Sequence, residues 1–122
     1  MAAKNAYVEW IQEWLTPLGE ITVRSMMGGH VIYCNSVTFA LLAGNTLYLK
    51  ADSATRPKFD ALGLTPFQPF ADKPMTMSYY PPPPEFFEDT EVMLLWGREA
   101  VAVGRRAKAK RAKPLKKRAA RM

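Results

Sequence analysis

Between residues 21 and 50 the chain reads ITVRSMM, HVIYC, VTFALLA and TLYLKA, short runs of β-branched, aromatic and aliphatic residues parted by Gly28-Gly29, Asn35-Ser36 and Gly44-Asn45. Period-two runs separated by two-residue glycine or polar breaks are strands joined by hairpin turns. The stretch therefore predicts an antiparallel meander, and everything else in the chain has to pack against that sheet.

The segment before it returns to a helical period. Tyr7, Trp10, Ile11, Trp14, Leu15 and Leu18 recur at spacings of three and four, with Glu9, Gln12 and Glu13 between them. This is an amphipathic helix that Asn5 can cap and that Thr16-Pro17 with Gly19 ends. After the meander, DSATRPKFDALGL is helical again: Asp52, Ser53 or Thr55 can cap it, Pro57 is tolerated only in the first turn, and Gly63 stops it.

TPFQPF and KPMTMSYY predict two further strands around an Ala71-Asp72 turn, the prolines placing the first at an edge. Met75, Met77 and Tyr79 then share one strand face, as a core requires. The four prolines of residues 81–84 belong to neither element and form a stiff extended spacer. Asp89 can cap a last long helix with an apolar stripe of Val92, Leu95, Trp96, Ala100 and Val103. The order is α-β(3-4)-α-β(2)-α, an α+β domain with helices laid against one antiparallel sheet.

Charge divides the chain more sharply than hydropathy does. Residues 1–104 hold seven Lys and Arg against eleven Asp and Glu, a net of −4, whereas residues 105–122 hold ten Lys and Arg and no acid. One globular domain, residues 1–104, is thus expected to be followed by a basic and largely disordered tail, residues 105–122, in which Pro114 interrupts any helix. The cations are Arg105, Arg106, Lys108, Lys110, Arg111, Lys113, Lys116, Lys117, Arg118 and Arg121. Such a segment suits a polyanion, DNA or RNA, because each neutralised phosphate releases counterions. With no Asn, Gln or aromatic among them to read bases, the contact is expected to be unspecific, and a merely solubilising tail is the alternative. The tail lacks the apolar face that membrane attachment needs.

The remaining candidates each have a bland reading beside the sharp one. His30 and Cys34 are the only histidine and cysteine. On one strand, four residues of rise place their backbones roughly 13 Å apart, which argues against a nucleophile-base dyad. No paired metal-ligand spacing exists, so no metal or cofactor is expected. Gly28-Gly29 lacks the further glycines, lysine and following helix of a phosphate-binding loop; it reads as a turn with positive dihedrals, or as a close crossing of two segments. Met26, Met27, Met75, Met77 and Met93 either fill the core or line an adaptable partner groove. One of Tyr7, Trp10 and Trp14 is free to serve an interface, including a homodimer contact. The first ten residues lack the apolar stretch and cleavage site of a secretory signal, which with a single cysteine fits a cytoplasmic location.

Taken together, LTPLGEITVRSMMGGHVIY, FALLAGNTLYLKAD, TRPKFDALGLTPF and PMTMSYYPPP resemble the N-terminal domain of the TfoX/Sxy family, bacterial proteins linked to competence and DNA transformation. The resemblance covers about residues 5–104. It implies an α+β fold similar to the secretion-chaperone-like fold. It also implies a non-enzymatic regulator that works with transcription machinery, in the best-known members alongside the cyclic-AMP receptor protein. It brings no catalytic residues. The family motif Arg, any residue, Met, Phe, Gly, Gly is matched by Arg24, Met26, Gly28 and Gly29, with Met27 in place of the aromatic. Full-length competence regulators carry a second, helical domain after this one, where this chain carries its basic segment.

Overall fold

A computed structural model describes residues 6–26, 29–68 and 77–121, with side chains through residue 110. The meander is present as read: β1 (Ile21–Met26), β2 (Gly29–Cys34), β3 (Val37–Ala43) and β4 (Thr46–Lys50) pair consecutively and antiparallel, and β5 (Tyr79–Tyr80) adds to β4. Helix α1 (Ala6–Trp14) and a single 3-10 turn (Thr16–Leu18) precede the sheet. Helix α2 (Arg56–Ala61) follows β4, and a second 3-10 turn (Pro84–Phe87) leads into α3 (Thr90–Arg121). Asn5 and the Ala71-Asp72 turn lie outside the described residues.

Alternation assigns the two faces of the sheet. The cross-strand pairs Ile21/Cys34, Ala40/Leu49, Leu42/Leu47 and Leu49/Tyr80 are buried and join Ile11 of α1, Leu15 just after it, Phe59 of α2, Phe86, and Met93, Ala100 and Val101 of α3 in one core. All helices therefore cover the same face. The other face carries Thr22/Tyr33, Arg24/Val31, Tyr33/Thr38, Leu41/Tyr48 and Lys50/Tyr79.

A bulge in β3 adjusts this pattern. Ile32 pairs with Ala40 but Tyr33 pairs with Thr38, leaving Phe39 as an extra residue, and Phe39 and Ala40 are both fully buried. Without the bulge, strict alternation would turn one of them outward. The β2–β3 turn takes positive φ at both central residues, 50° at Asn35 and 71° at Ser36, the form whose twist matches a hairpin. Asn35 also holds the start of β1: its Oδ1 accepts from the Glu20 amide at 2.9 Å and its own amide donates to the Glu20 carbonyl at 2.8 Å.

Four readings need correction. First, the two strands expected over 65–70 and 73–80 are, in their described part, one bridge between Phe67 and Met77 and the two residues of β5. A bend at Ser78 breaks the alternation, so Tyr79 is buried while Met77 is exposed. Second, of the expected α3 stripe Ala100 and Val103 are buried and Val92 and Trp96 half-buried, but Leu95 is 63% exposed, and Met93, Gly97, Val101 and Gly104 complete the buried face. The expected capping by Asp89 does occur, its Oδ1 accepting from the Glu91 amide at 2.9 Å.

Third, Thr55 occupies the N-cap position of α2 without capping it, its hydroxyl oxygen instead accepting from the Asp52 amide at 3.0 Å. Fourth, α3 does not stop near Gly104 but runs on through the basic segment to Arg121. Alanine, lysine and arginine are strong helix formers, and cations near a helix C-terminus complement its dipole. Pro114 forgoes the bond to the carbonyl four residues back without ending the helix.

Candidate nucleic-acid interface

The cationic part of α3 begins on the folded domain, and glycine is what allows it to. At Gly104 a Cβ would lie 2.2 Å from the Thr38 carbonyl oxygen and 2.7 Å from Val37 Cγ1, so the helix backbone rests directly on the first residues of β3. Two residues on, the Arg106 Nε donates to Asp52 Oδ2 at 2.9 Å, tying α3 to the segment between β4 and α2. The Arg106 hydrogen bond holds the Asp52 carboxyl below its usual range, with help from the Ala54 and Thr55 amides. Of the ten predicted nucleic-acid contacts, Arg106 thus has an intramolecular partner. The side chains of Arg105, Lys108 and Lys110 are exposed. Arg111, Lys113, Lys116, Lys117, Arg118 and Arg121 continue the same helix. The seventeen residues from 105 to 121 give about 25 Å of helix at 1.5 Å per residue.

The candidates for chemistry do not converge. His30 and Cys34 lie at opposite ends of β2, His30 paired with Leu42 and Ser25, Cys34 with Ile21 and Val37. The Cys34 thiol is buried, sits 3.5 Å from the Leu18 carbonyl oxygen, and is pushed up in pKa by that burial, against an opposing pull from Arg105. The thiol is packed among Ile21, Val37 and Leu18 on the core side of the sheet. Among the described residues, no three His, Cys, Asp or Glu side chains gather where they could hold a metal.

The family-motif residues divide in the same way. Gly29 has an ordinary φ, yet a Cβ there would stand 2.5 Å from the Leu42 carbonyl oxygen, so of the two readings of the glycine pair the close crossing is the one found at this residue. Gly28 and Met27 lie outside the described residues. Arg24 and Met26 are exposed on β1, and Met77 is exposed too, while Met93 is fully buried, so the methionines are neither all core nor all surface. On α1 the rings of Trp10 and Trp14 stack at 5.8 Å and Trp10 also meets Tyr7 and Phe87, leaving Trp10 43% exposed as the most accessible of the three helix aromatics.

A grouping that no sequence pattern announced lies where α3 passes the end of the sheet. A cavity of about 420 Å³ is lined by Tyr33, Ser36, Thr38, Lys50, Tyr79 and Lys108, with Gly104 and Ala107 of α3 as its small-residue wall. The Lys50 ammonium donates to the Tyr79 hydroxyl at 3.3 Å and lies 4.9 Å from the centre of that ring. A second depression of about 300 Å³ shares Tyr33 and Ser36 and adds Thr22 and Arg24. These residues come from all five strands, a turn and a helix, and their only local signal was a lysine ending the apolar run TLYLK.

The fold and this surface define a small α+β domain of the meander-and-helices type, with a cationic helix leaving one end of its sheet. The chain belongs to the TfoX N-terminal domain family, whose model matches residues 13–103. A comparison with curated proteins gives no match. The family match ends at Val103, two residues before the cationic run begins at Arg105. No helix among the described residues is long and apolar enough to cross a membrane.

Proposed function

We propose that this protein is a non-enzymatic interaction module of the competence-regulator type, a TfoX N-terminal domain whose extended α3 contacts DNA or RNA without reading sequence. The observation that carries the reading is the placement of ten cations on the continuation of a helix seated on an otherwise acidic domain. A duplex presents one negative charge per ~1.7 Å of its axis, so about 25 Å of basic helix faces several phosphates at once. The domain then presents whatever partner it holds to the nucleic acid, and by family likeness that partner is a protein of the transcription machinery in the cytoplasm.

The test keeps the chain whole. Mobility shifts compare the native chain with a variant in which Lys110, Arg111, Lys113, Lys116, Lys117, Arg118 and Arg121 are all glutamine. The native chain is expected to bind duplexes of unrelated sequence equally, with log K falling by about 0.9 per phosphate contact against log salt, and the variant to lose most of that slope. Equal affinity of the two proteins, or binding indifferent to salt, overturns the reading. A second reading, a protein-only adaptor or homodimer with a solubilising C-terminus, is favoured by the accessible Trp10 stack. It expects Trp10→Ala to abolish self-association in sedimentation while the glutamine variant behaves as native.

A further inference from the structure

The cavity at the end of the sheet has a chemistry of its own. Its described side chains supply two ammonium groups, Lys50 and Lys108, and four hydroxyls, Tyr33, Ser36, Thr38 and Tyr79, with no carboxylate among them. In a domain that carries more acids than bases up to residue 104, this is a local reversal of sign. Such a lining disfavours a cation, for which two ammonium groups are repulsive, and an apolar ligand, which would leave the donors unpaired.

The donors are also held in position. Lys50 and Tyr79 are cross-strand partners in the β4–β5 ladder, and the ammonium is fixed by both the phenol oxygen and the ring face. Because the Tyr79 oxygen accepts from Lys50, its own proton remains free to be donated to a ligand. Ser36 stands in the left-handed region at φ 71°, where a glycine would be easier, so the turn carries a hydroxyl at a position that usually has none. Room is left by Gly104 and Ala107, where α3 presents almost no side chain to the opening. The adjoining depression adds Arg24, whose planar fork suits a pair of phosphate oxygens.

We infer that this cavity is a phosphoryl-binding site, with Lys50 and Lys108 as its charges and the Tyr33, Ser36, Thr38 and Tyr79 hydroxyls as its directional donors. Several donors converging from different sides match the three terminal oxygens of a phosphoryl group. The phosphoryl group can belong to a polynucleotide backbone led in along α3, or to a small phosphorylated molecule. Only the first source rests on the function proposed above; the site does not.

Titration of the full chain with pyrophosphate, followed by amide chemical shifts, tests the site. Shifts are expected at Thr38, Lys50, Tyr79 and Gly104. Lys50→Gln is expected to weaken binding by at least about tenfold and Lys108→Gln, at an exposed helix position that cannot disturb the fold, by roughly threefold or more. Lys58→Gln, whose ammonium pairs with Glu99 and does not line the cavity, leaves binding native. Shifts confined to residues 105–122, or native affinity in both the Lys50 and Lys108 variants, overturn the inference. Competition then separates the sources: an oligothymidylate of about fifteen nucleotides displacing pyrophosphate at these amides points to the polynucleotide, whereas displacement by ADP alone points to the small molecule. If the seven-glutamine variant loses the oligonucleotide yet keeps pyrophosphate, the phosphoryl site stands independently of the helix.

Discussion

The two halves of α3 share one backbone and almost nothing else. Up to Gly104 the helix is held by burial: Met93, Ala100 and Val101 sit in the core, and Gly97 and Gly104 bring its axis close enough that a Cβ would collide with Leu18 or with the Thr38 carbonyl. Beyond Gly104 the helix is held by propensity and by the Arg106–Asp52 ion pair. The same local conformation is thus specified by volume in one half and by composition in the other. The first half can tolerate little change in size. The second half can tolerate much, provided charge is kept.

The largest effect expected from this contrast is at the seat itself. Gly104→Val pushes a branched side chain into the β3 backbone and should destabilise by over about 4 kcal/mol, seen as a collapse of the thermal midpoint or loss of the folded state. A midpoint near native would mean that α3 does not rest on β3 as closely as described. Next, Met93→Ala empties a fully buried position and should cost about 3 kcal/mol, whereas Leu95→Ala, two residues away on the solvent side, should stay within about 0.5 kcal/mol. Equal losses in chemical denaturation would break the assignment of the buried stripe.

A smaller effect separates the polar tie from the packed half. Arg106 lowers the Asp52 pKa in the folded protein, so unfolding takes up protons as pH falls below the ordinary carboxylate range. The stabilisation is therefore present above about pH 4 and is lost as pH drops through the lowered folded value. For a pair this exposed, Asp52→Asn should cost about 0.5 kcal/mol at neutral pH and progressively less as the pH drops through the lowered folded value, which paired thermal melts can read. The least change is expected from a chain ending at Lys110, whose stability should lie within about 0.3 kcal/mol of native even as its affinity for polyanions falls. A large loss on that truncation would show that the second half is also held by packing.

Much of the fold could be read directly because its signals are local. Two-residue turns, a period of two between them, the Asp89 cap and the Gly63 stop each depend on neighbours within a few residues. What escaped depends on partners far along the chain. VTFALLA is apolar at almost every position, so nothing in it marks Phe39 as the extra residue of a bulge; the partner strand decides that. Val92, Leu95 and Met93 offer two nearly equivalent stripes, and only the place of α3 over the sheet selects Met93. Gly104 looked like an ending because a glycine preceded a run of charge, while its actual constraint is a carbonyl on β3. The phosphoryl site was invisible for the same reason: Tyr33, Lys50, Tyr79 and Lys108 are strangers in sequence and neighbours only once the meander closes.

The consecutive pairing of β1 through β4 also sets an order of events in time. Each hairpin closes over two residues, so the four strands can assemble with little loss of chain entropy, whereas α3 finds its seat only after Val37 and Thr38 are in place. Refolding watched by stopped flow should therefore show substitutions in the β2–β3 turn slowing folding, and Met93→Ala mainly hastening unfolding. On that order the cationic half of α3 faces solvent both before and after the core is sealed, as the exposed Arg105, Lys108 and Lys110 side chains do in the folded chain.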